Sequence, residues 1–143
     1  MSPDQLFGLS GPLAMLGWLC LLAYPLAKKP LMTAGGLIIP ALLSLGYLVC
    51  IMAYWMSAEG GFDTLANVML LFDTPGTALA GWVHFLAFDL FVGAWIVRDA
   101  ERQGFYHLVT WPSLVLTFLF GPIGLLLHLS QRAVMRMRAA PAV

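Results

Sequence analysis

Long apolar segments alternate with short polar ones along the whole of this 143-residue chain. Lys, Arg, Asp and Glu are absent from residues 5–27, 30–58 and 103–131, and residues 74–97 contain a single such residue, Asp89. Each segment is at least as long as the roughly 20 residues with which a helix crosses a bilayer core, and too long for a membrane strand. The pattern therefore predicts an all-α integral membrane protein, a four-helix transmembrane bundle.

Turn residues between the apolar segments set the predicted boundaries. We expect one domain, residues 1–143, with spans at about 6–27, 31–56, 77–101 and 106–130 and a tail at 131–143. Pro30 stops the first span, and Gly104 ends the third.

The only long connection follows the second predicted span and carries its own periodic pattern. Leu65, Val68, Met69 and Phe72 recur at helical spacing, and Asp63 is placed as their N-cap. About ten residues cannot span a membrane, but an amphipathic helix of this length can lie in its interface. We therefore predict a short interfacial helix at about 63–72.

Composition agrees with a membrane protein. Hydrophobic residues make up 61% of the chain and charged residues 10%, whereas a soluble domain has about 25% charged residues. The formal net charge is zero, so no nucleic-acid surface is predicted. In a four-span arrangement, four of the seven basic residues lie on one side of the membrane and the three of the tail on the other. The positive-inside rule then leaves the orientation open.

Two ionisable residues inside the third predicted span are the first candidates for function. An Asp at the centre of a membrane helix costs about 2.5–3.5 kcal/mol, so His84 and Asp89 need a reason to be there. On a straight helix they are about 140° apart around the axis and about 7.5 Å apart along it. Acid/base chemistry or ligand binding is one interpretation, and hydrogen bonding between helices is the alternative for both residues.

Further candidates surround this pair. Asp99 is a third candidate acid or base, next to Arg98 at the helix end, where a headgroup-level charge cluster is the simpler explanation. Aromatic side chains of the third and fourth spans can line a groove for a long flat ligand, or form ordinary interface belts and packing contacts. The candidate ligand-binding residues are Trp82, Phe85, Phe88, Trp95, Arg98 and Trp111.

Neither a metal site nor a cofactor is predicted. The Glu/His pairs at helical spacing that hold metals inside bundles are missing from the spans. His107 and His128, at the two ends of the fourth span, are interpreted as interface markers.

The run from Gly81 to Asp99, GWVHFLAFDLFVGAWIVRD, resembles the core of the abscisic acid-deficient 4-like membrane family. Residues 68–72, 112–114 and 121–126 are similar to that family too, so the resemblance covers roughly residues 30–130. Plant members are tied to neoxanthin synthesis, in which a xanthophyll epoxide opens and loses a proton to give an allene. The resemblance implies such a substrate, with His84, Asp89 and Asp99 as acid and base candidates.

The leading hypothesis is a membrane isomerase, without a cofactor, that acts on a carotenoid or related isoprenoid lipid entering from the bilayer. The main alternative is a non-enzymatic scaffold that presents a pigment or lipid to a partner membrane enzyme, and a structural membrane subunit is the third. Expected partners are the membrane lipid or carotenoid and a second copy of the chain or a partner enzyme. The expected location is a bacterial inner membrane, or a plastid membrane for a plant-type relative, with several membrane crossings.

Overall fold

A computed structural model describes residues 2–139, with side chains up to Met137. This part of the chain is all helical and contains no strand. Six helices follow one another, connected by short turns. They are α1 (Pro3–Leu22), α2 (Lys28–Ser57), α3 (Leu65–Leu71), α4 (Pro75–Arg102), α5 (His107–Phe120) and α6 (Pro122–Ala139).

Three of these helices, α1, α2 and α4, are long and apolar enough to cross a membrane. In the apolar 18-residue stretch of α4, half of the residues are buried inside the protein. The corresponding share is 28% for α1 and for α2. The protein is therefore a membrane-associated protein in which α4 is the central helix, with α1, α2 and the C-terminal helices packed around it.

Close backbone packing joins α1 to α2. A π-helical turn, Ala34–Ile38, interrupts the α-helical geometry of α2 and brings Gly35 against α1. A Cβ atom on Gly35 would lie 2.7 Å from the carbonyl oxygen of Gly17, so only glycine allows this approach. Small residues serve the same purpose wherever membrane helices pack without a hydrophobic driving force.

The fourth predicted span, at 106–130, is not one helix. Helix α5 ends at Phe120, Gly121 has a positive φ of 54°, and α6 begins at Pro122. The two helices then pack against each other. The Gly-Pro sequence explains the break, because proline cannot continue the hydrogen bonding of α5 and glycine accepts the backbone conformation of a sharp turn.

Contacts between α5 and α6 show that they run antiparallel. Near the turn, Gly124 lies against Thr117. Far from it, the Gln131 side-chain amide donates to the carbonyl oxygen of Val109 at 3.2 Å, and its amide oxygen accepts from Ser113 at 2.9 Å. Residues further along α6 thus contact residues nearer the start of α5. The pair is a helical hairpin, which we call the C-terminal hairpin (residues 107–139).

This hairpin gathers the basic residues at one end of the molecule. Because α6 returns toward the start of α5, its residues Arg132 and Arg136 belong to the same end as the start of α2 and the end of α4. We call this the basic end. It holds the six basic residues whose side chains the structure describes, Lys28, Lys29, Arg98, Arg102, Arg132 and Arg136. The opposite, acidic end holds Asp4, Glu59, Asp63 and Asp73.

Other predicted boundaries agree more closely. Helix α1 stops at Leu22 and not near residue 27, because a 3-10 turn at Tyr24–Leu26 precedes α2. The short helix predicted at 63–72 is α3. Its N-cap is Thr64, whose hydroxyl accepts from the Asn67 backbone N–H, and not Asp63, which binds the Asn67 side chain instead.

We predict that Gly121→Ala destabilises the C-terminal hairpin. Alanine at φ 54° is strained, by about 1–3 kcal/mol, and its Cβ would lie 2.9 Å from the Asp89 carboxylate. The measurement is the free energy of unfolding in detergent. Gly104→Ala is the control, because Gly104 also has a positive φ but a Cβ there has open space. Equal losses in both variants would show that the contact with Asp89 does not matter.

Candidate functional site

A groove runs along the interface of α2 and α4. It consists of two cavities, of about 310 and 300 Å3, which follow each other along the helix pair. The first is lined by Gly36, Leu37, Pro40, Ala41, Ser44, Ala87, Phe88 and Phe91. The second is lined by Tyr47, Ile51, Trp55, Phe62, Leu71, Phe72, Thr77, Ala80, Gly81 and His84. We call the two together the α2–α4 groove.

His84 lines the second cavity, one helical turn before Phe88 of the first. Its ring stacks on Phe88 with centroids 4.6 Å apart, and the Tyr47 ring meets it edge-on at 5.4 Å. The imidazole is exposed on the surface of the chain. It therefore faces the groove, between the rings of Phe88 and Tyr47.

Asp89 lies on another side of α4 and does not join His84 in the groove. Its carboxylate faces Gly121, at the turn of the C-terminal hairpin. The Oδ2 atom is buried and has no hydrogen-bond partner among the described residues. The structure thus gives the two candidates different neighbours, in keeping with their wide angular separation on one helix, and a shared acid/base site is not supported.

Asp99 is the buried centre of a third cluster. The Nε2 atom of His128 lies 3.0 Å from Asp99 Oδ2, and Nη1 of Arg132 lies 3.1 Å from Oδ1. His128 is fully buried, with its ring edge-on to Trp95 at 5.7 Å, and so it is not the interface marker that the sequence suggested. We call Asp99, His128 and Arg132 the hairpin clamp.

The predicted ligand-binding residues are spread over the molecule. Phe88 alone lines the α2–α4 groove. Trp82 stacks with Phe85 and Phe7 near the acidic end, and Trp95 packs on His128 of the hairpin clamp. Arg98 donates to the carbonyl oxygen of Ala94, one turn back. Trp111 lines a different cleft, between α1 and α5.

Sequence reasoning missed the residues that α2 contributes to the groove and those that α6 contributes to the clamp. Pro40, Ser44 and Tyr47 share one face of α2, at spacings of four and three, which is a signal that could have been read. His128 and Arg132 are likewise four residues apart on one helix. Their partner could not have been found without knowing that the chain turns back at Gly121.

A resident metal is not indicated by the described residues. Within residues 2–139, no three His, Cys, Asp or Glu side chains come close enough together to hold an ion. The α2–α4 groove itself offers apolar surface, one imidazole and a phenol hydroxyl.

We predict that Asp99→Ala loosens the C-terminal hairpin. It leaves the buried His128 and the partly exposed Arg132 without their shared carboxylate, and a buried polar group left unsatisfied costs about 1–3 kcal/mol. Glu101→Gln is the control, two residues further along α4, because its pair with Lys28 is exposed and worth at most about 1 kcal/mol. The measurement is the free energy of unfolding of both variants in detergent. Similar losses in the two variants would contradict a structural role for the clamp.

The sequence that forms this fold is similar to a known protein family. A family model described as ABA DEFICIENT 4-like matches residues 5–128, from the first turns of α1 to the clamp histidine in α6. No curated protein and no solved structure matches the chain. The match includes the run from Gly81 to Asp99 that resembles this family, and it covers most of the chain. The chain therefore belongs to the ABA DEFICIENT 4-like family.

Proposed function

We propose that this protein spans the membrane several times and binds a long, apolar isoprenoid lipid of the carotenoid class in the α2–α4 groove. His84 exchanges a proton with the bound molecule. One observation carries the proposal: the exposed His84 imidazole lines a groove whose other walls are mainly apolar and aromatic, with hydroxyl groups only on Ser44, Tyr47 and Thr77.

The dimensions and walls of the groove support this class of ligand. From Thr77 to Phe91 the groove follows about 21 Å of helix α4, so it suits an extended molecule more than a compact one. Aromatic rings stack favourably on a conjugated chain. Phe88, Phe91 and Leu37 are exposed on the chain surface, so a ligand can enter sideways from the surrounding lipid.

The chemistry expected of an epoxide-to-allene isomerisation is compatible with this site. A carbon–oxygen bond of the epoxide breaks, a carbon–hydrogen bond breaks, and an oxygen–hydrogen bond forms, so the formula is unchanged and no redox cofactor is needed. One group takes the proton from carbon, and one gives a proton to oxygen. His84 is the base in this scheme, and the Tyr47 hydroxyl is the acid, in place of Asp89 and Asp99, which lie outside the groove.

Binding without turnover is the second candidate, and a specific observation favours it. Among the described residues that line the groove there is no carboxylate, so His84 has no ionised partner to orient or charge it. A scaffold that holds a pigment for a partner enzyme needs only the apolar walls. The two candidates share the groove and differ in whether His84 is needed.

We predict that Ala41→Trp abolishes ligand retention, because the indole fills the first cavity of the groove. Ala53→Trp is the matched control, since Ala53 is also exposed on α2 but does not line the groove. The measurement is the amount of violaxanthin retained by the purified protein. Allene formation in nanodiscs, followed by chromatography, then compares wild type with His84→Phe.

If the wild type retains violaxanthin but forms no allene, the protein is a scaffold and not an isomerase. Loss of product in His84→Phe with retention unchanged would assign the proton transfer to the imidazole. If Ala41→Trp and Ala53→Trp retain the same amount as wild type, the groove is not the binding site.

The same proposal fixes the arrangement in the membrane. Helices α1, α2 and α4 cross the bilayer, and the C-terminal hairpin enters from the basic end and returns to it. Its turn lies beside Asp89, at the middle of α4. Buried against protein, such an irregular backbone is tolerated at membrane depth. With the six basic residues of the described side chains at one end, the positive-inside rule makes that end cytoplasmic.

We predict that cysteines at Lys29 and Met137 share one side of the membrane and that a cysteine at Asp73 lies on the other. The readout is labelling by a membrane-impermeant maleimide in spheroplasts, with Cys20 and Cys50 replaced by alanine. Asp73→Cys should react in intact spheroplasts, and Lys29→Cys and Met137→Cys only after permeabilisation. Reaction of Met137→Cys together with Asp73→Cys would instead show a fourth full crossing.

A further inference from the structure

A second cleft, separate from the α2–α4 groove, begins between the end of α1 and the start of α5 and extends to the end of α4. It has an apolar and a polar compartment, of about 450 and 390 Å3, which share Pro25 and His107. The Nε2 atom of His107 is hydrogen-bonded to the carbonyl oxygen of Leu22 at 3.0 Å, so the imidazole bridges the two helices at the boundary. The cleft is therefore amphipathic along its length.

The apolar compartment faces the interior of the membrane in the proposed arrangement. It is lined by Leu19, Leu22, Ala23, Pro25, Leu26, His107, Leu108 and Trp111. Leu26, Leu108 and Trp111 are exposed, so nothing else in the described chain covers this surface. In the bilayer, lipid acyl chains surround this cleft and can occupy it.

The polar compartment lies at the basic end and presents one charge of each sign. Lys28 Nζ lies 2.8 Å from Glu101 Oε1, and both side chains are substantially exposed, 61% and 44%. An exposed ion pair is weakly held, so both charges are free to take up a ligand. The Tyr24 hydroxyl also donates to Glu101. Burial, together with this hydrogen bond, raises the pKa of Tyr24 to about 12, so the phenol stays protonated and keeps the carboxylate in place.

We propose that this cleft binds one glycerophospholipid with a primary ammonium headgroup. An acyl chain lies in the apolar compartment, the phosphate meets Lys28, and the ammonium meets Glu101. The zwitterionic headgroup satisfies both members of the ion pair, whereas a purely anionic headgroup would place negative charge beside Glu101. The lipid fills the space between α1 and α5 and so supports the first arm of the C-terminal hairpin from outside.

This inference rests on the membrane arrangement of the proposed function but not on the groove. The two clefts share no lining residue, although both reach α4: the groove along residues 77–91 and the second cleft along residues 97–101. A protein that binds no pigment could therefore still bind the phospholipid, and a protein that binds no phospholipid could still bind pigment.

The headgroup contacts are tested by native mass spectrometry of the purified full chain in micelles doped with phosphatidylethanolamine. We expect Lys28→Gln to weaken binding by about tenfold or more, the effect of losing a charged hydrogen-bond donor. Lys29→Gln is the matched control, because the adjacent Lys29 is exposed but does not line the compartment. Glu101→Gln should erase a preference for phosphatidylethanolamine over phosphatidylglycerol.

The acyl compartment is tested by filling it. Leu108→Trp should reduce binding of the same phospholipid, while Leu119→Trp, at an exposed leucine elsewhere on α5, should not. The inference is overturned if Lys28→Gln and Lys29→Gln bind alike, or if phosphatidylglycerol binds as well as phosphatidylethanolamine to the wild type. Equal binding by Leu108→Trp and Leu119→Trp would overturn the acyl assignment.

Discussion

The arrangement of the C-terminal half depends on one buried carboxylate. Asp99, near the end of α4, accepts hydrogen bonds from His128 and Arg132 of α6, which lie at this depth only because the chain turns back at Gly121. Burying these groups is unfavourable unless they meet, so a straight fourth span would leave each of them without its partner. The hairpin clamp therefore selects the hairpin over the extended helix, and with it the gathering of positive charge at one end.

Different faces of helix α4 pack against different parts of the chain, so its ionisable side chains lie in different surroundings. One face, with His84, is left open along α2 and forms a groove. Another, with Asp89 and Asp99, is covered by the hairpin. Asp99 is explained by its contacts with His128 and Arg132, whereas the buried Oδ2 atom of Asp89 has no hydrogen-bond partner among the described residues. Of the three acid and base candidates, His84 alone lines the α2–α4 groove.

The sequence predicted the family, the all-helical class, the short helix α3 and the approximate extent of α1, α2 and α4, because hydrophobic length and turn residues are local signals. It singled out His84 as a candidate by its cost in an apolar segment, but not the cavity that the residue lines. It did not reveal the hairpin: residues 106–130 were expected to form one span, because a Gly-Pro break does not show in which direction the chain continues until its contacts are known. Tyr47, His128 and Arg132 were missed for the same reason, because partners on separate helices are fixed by packing.

The fold-back of the C-terminal hairpin is most directly measured as a distance between spin labels at Tyr106 and Met137, both exposed, in a background without Cys20 and Cys50. An antiparallel hairpin places the two labels at the same end, separated by little more than the interaxial distance of about 8–10 Å and the label linkers. A continuous helix would place them about 46 Å apart. A short distance is the result that we predict, and a distribution centred near the longer value would contradict the hairpin, the clamp and the one-sided charge together.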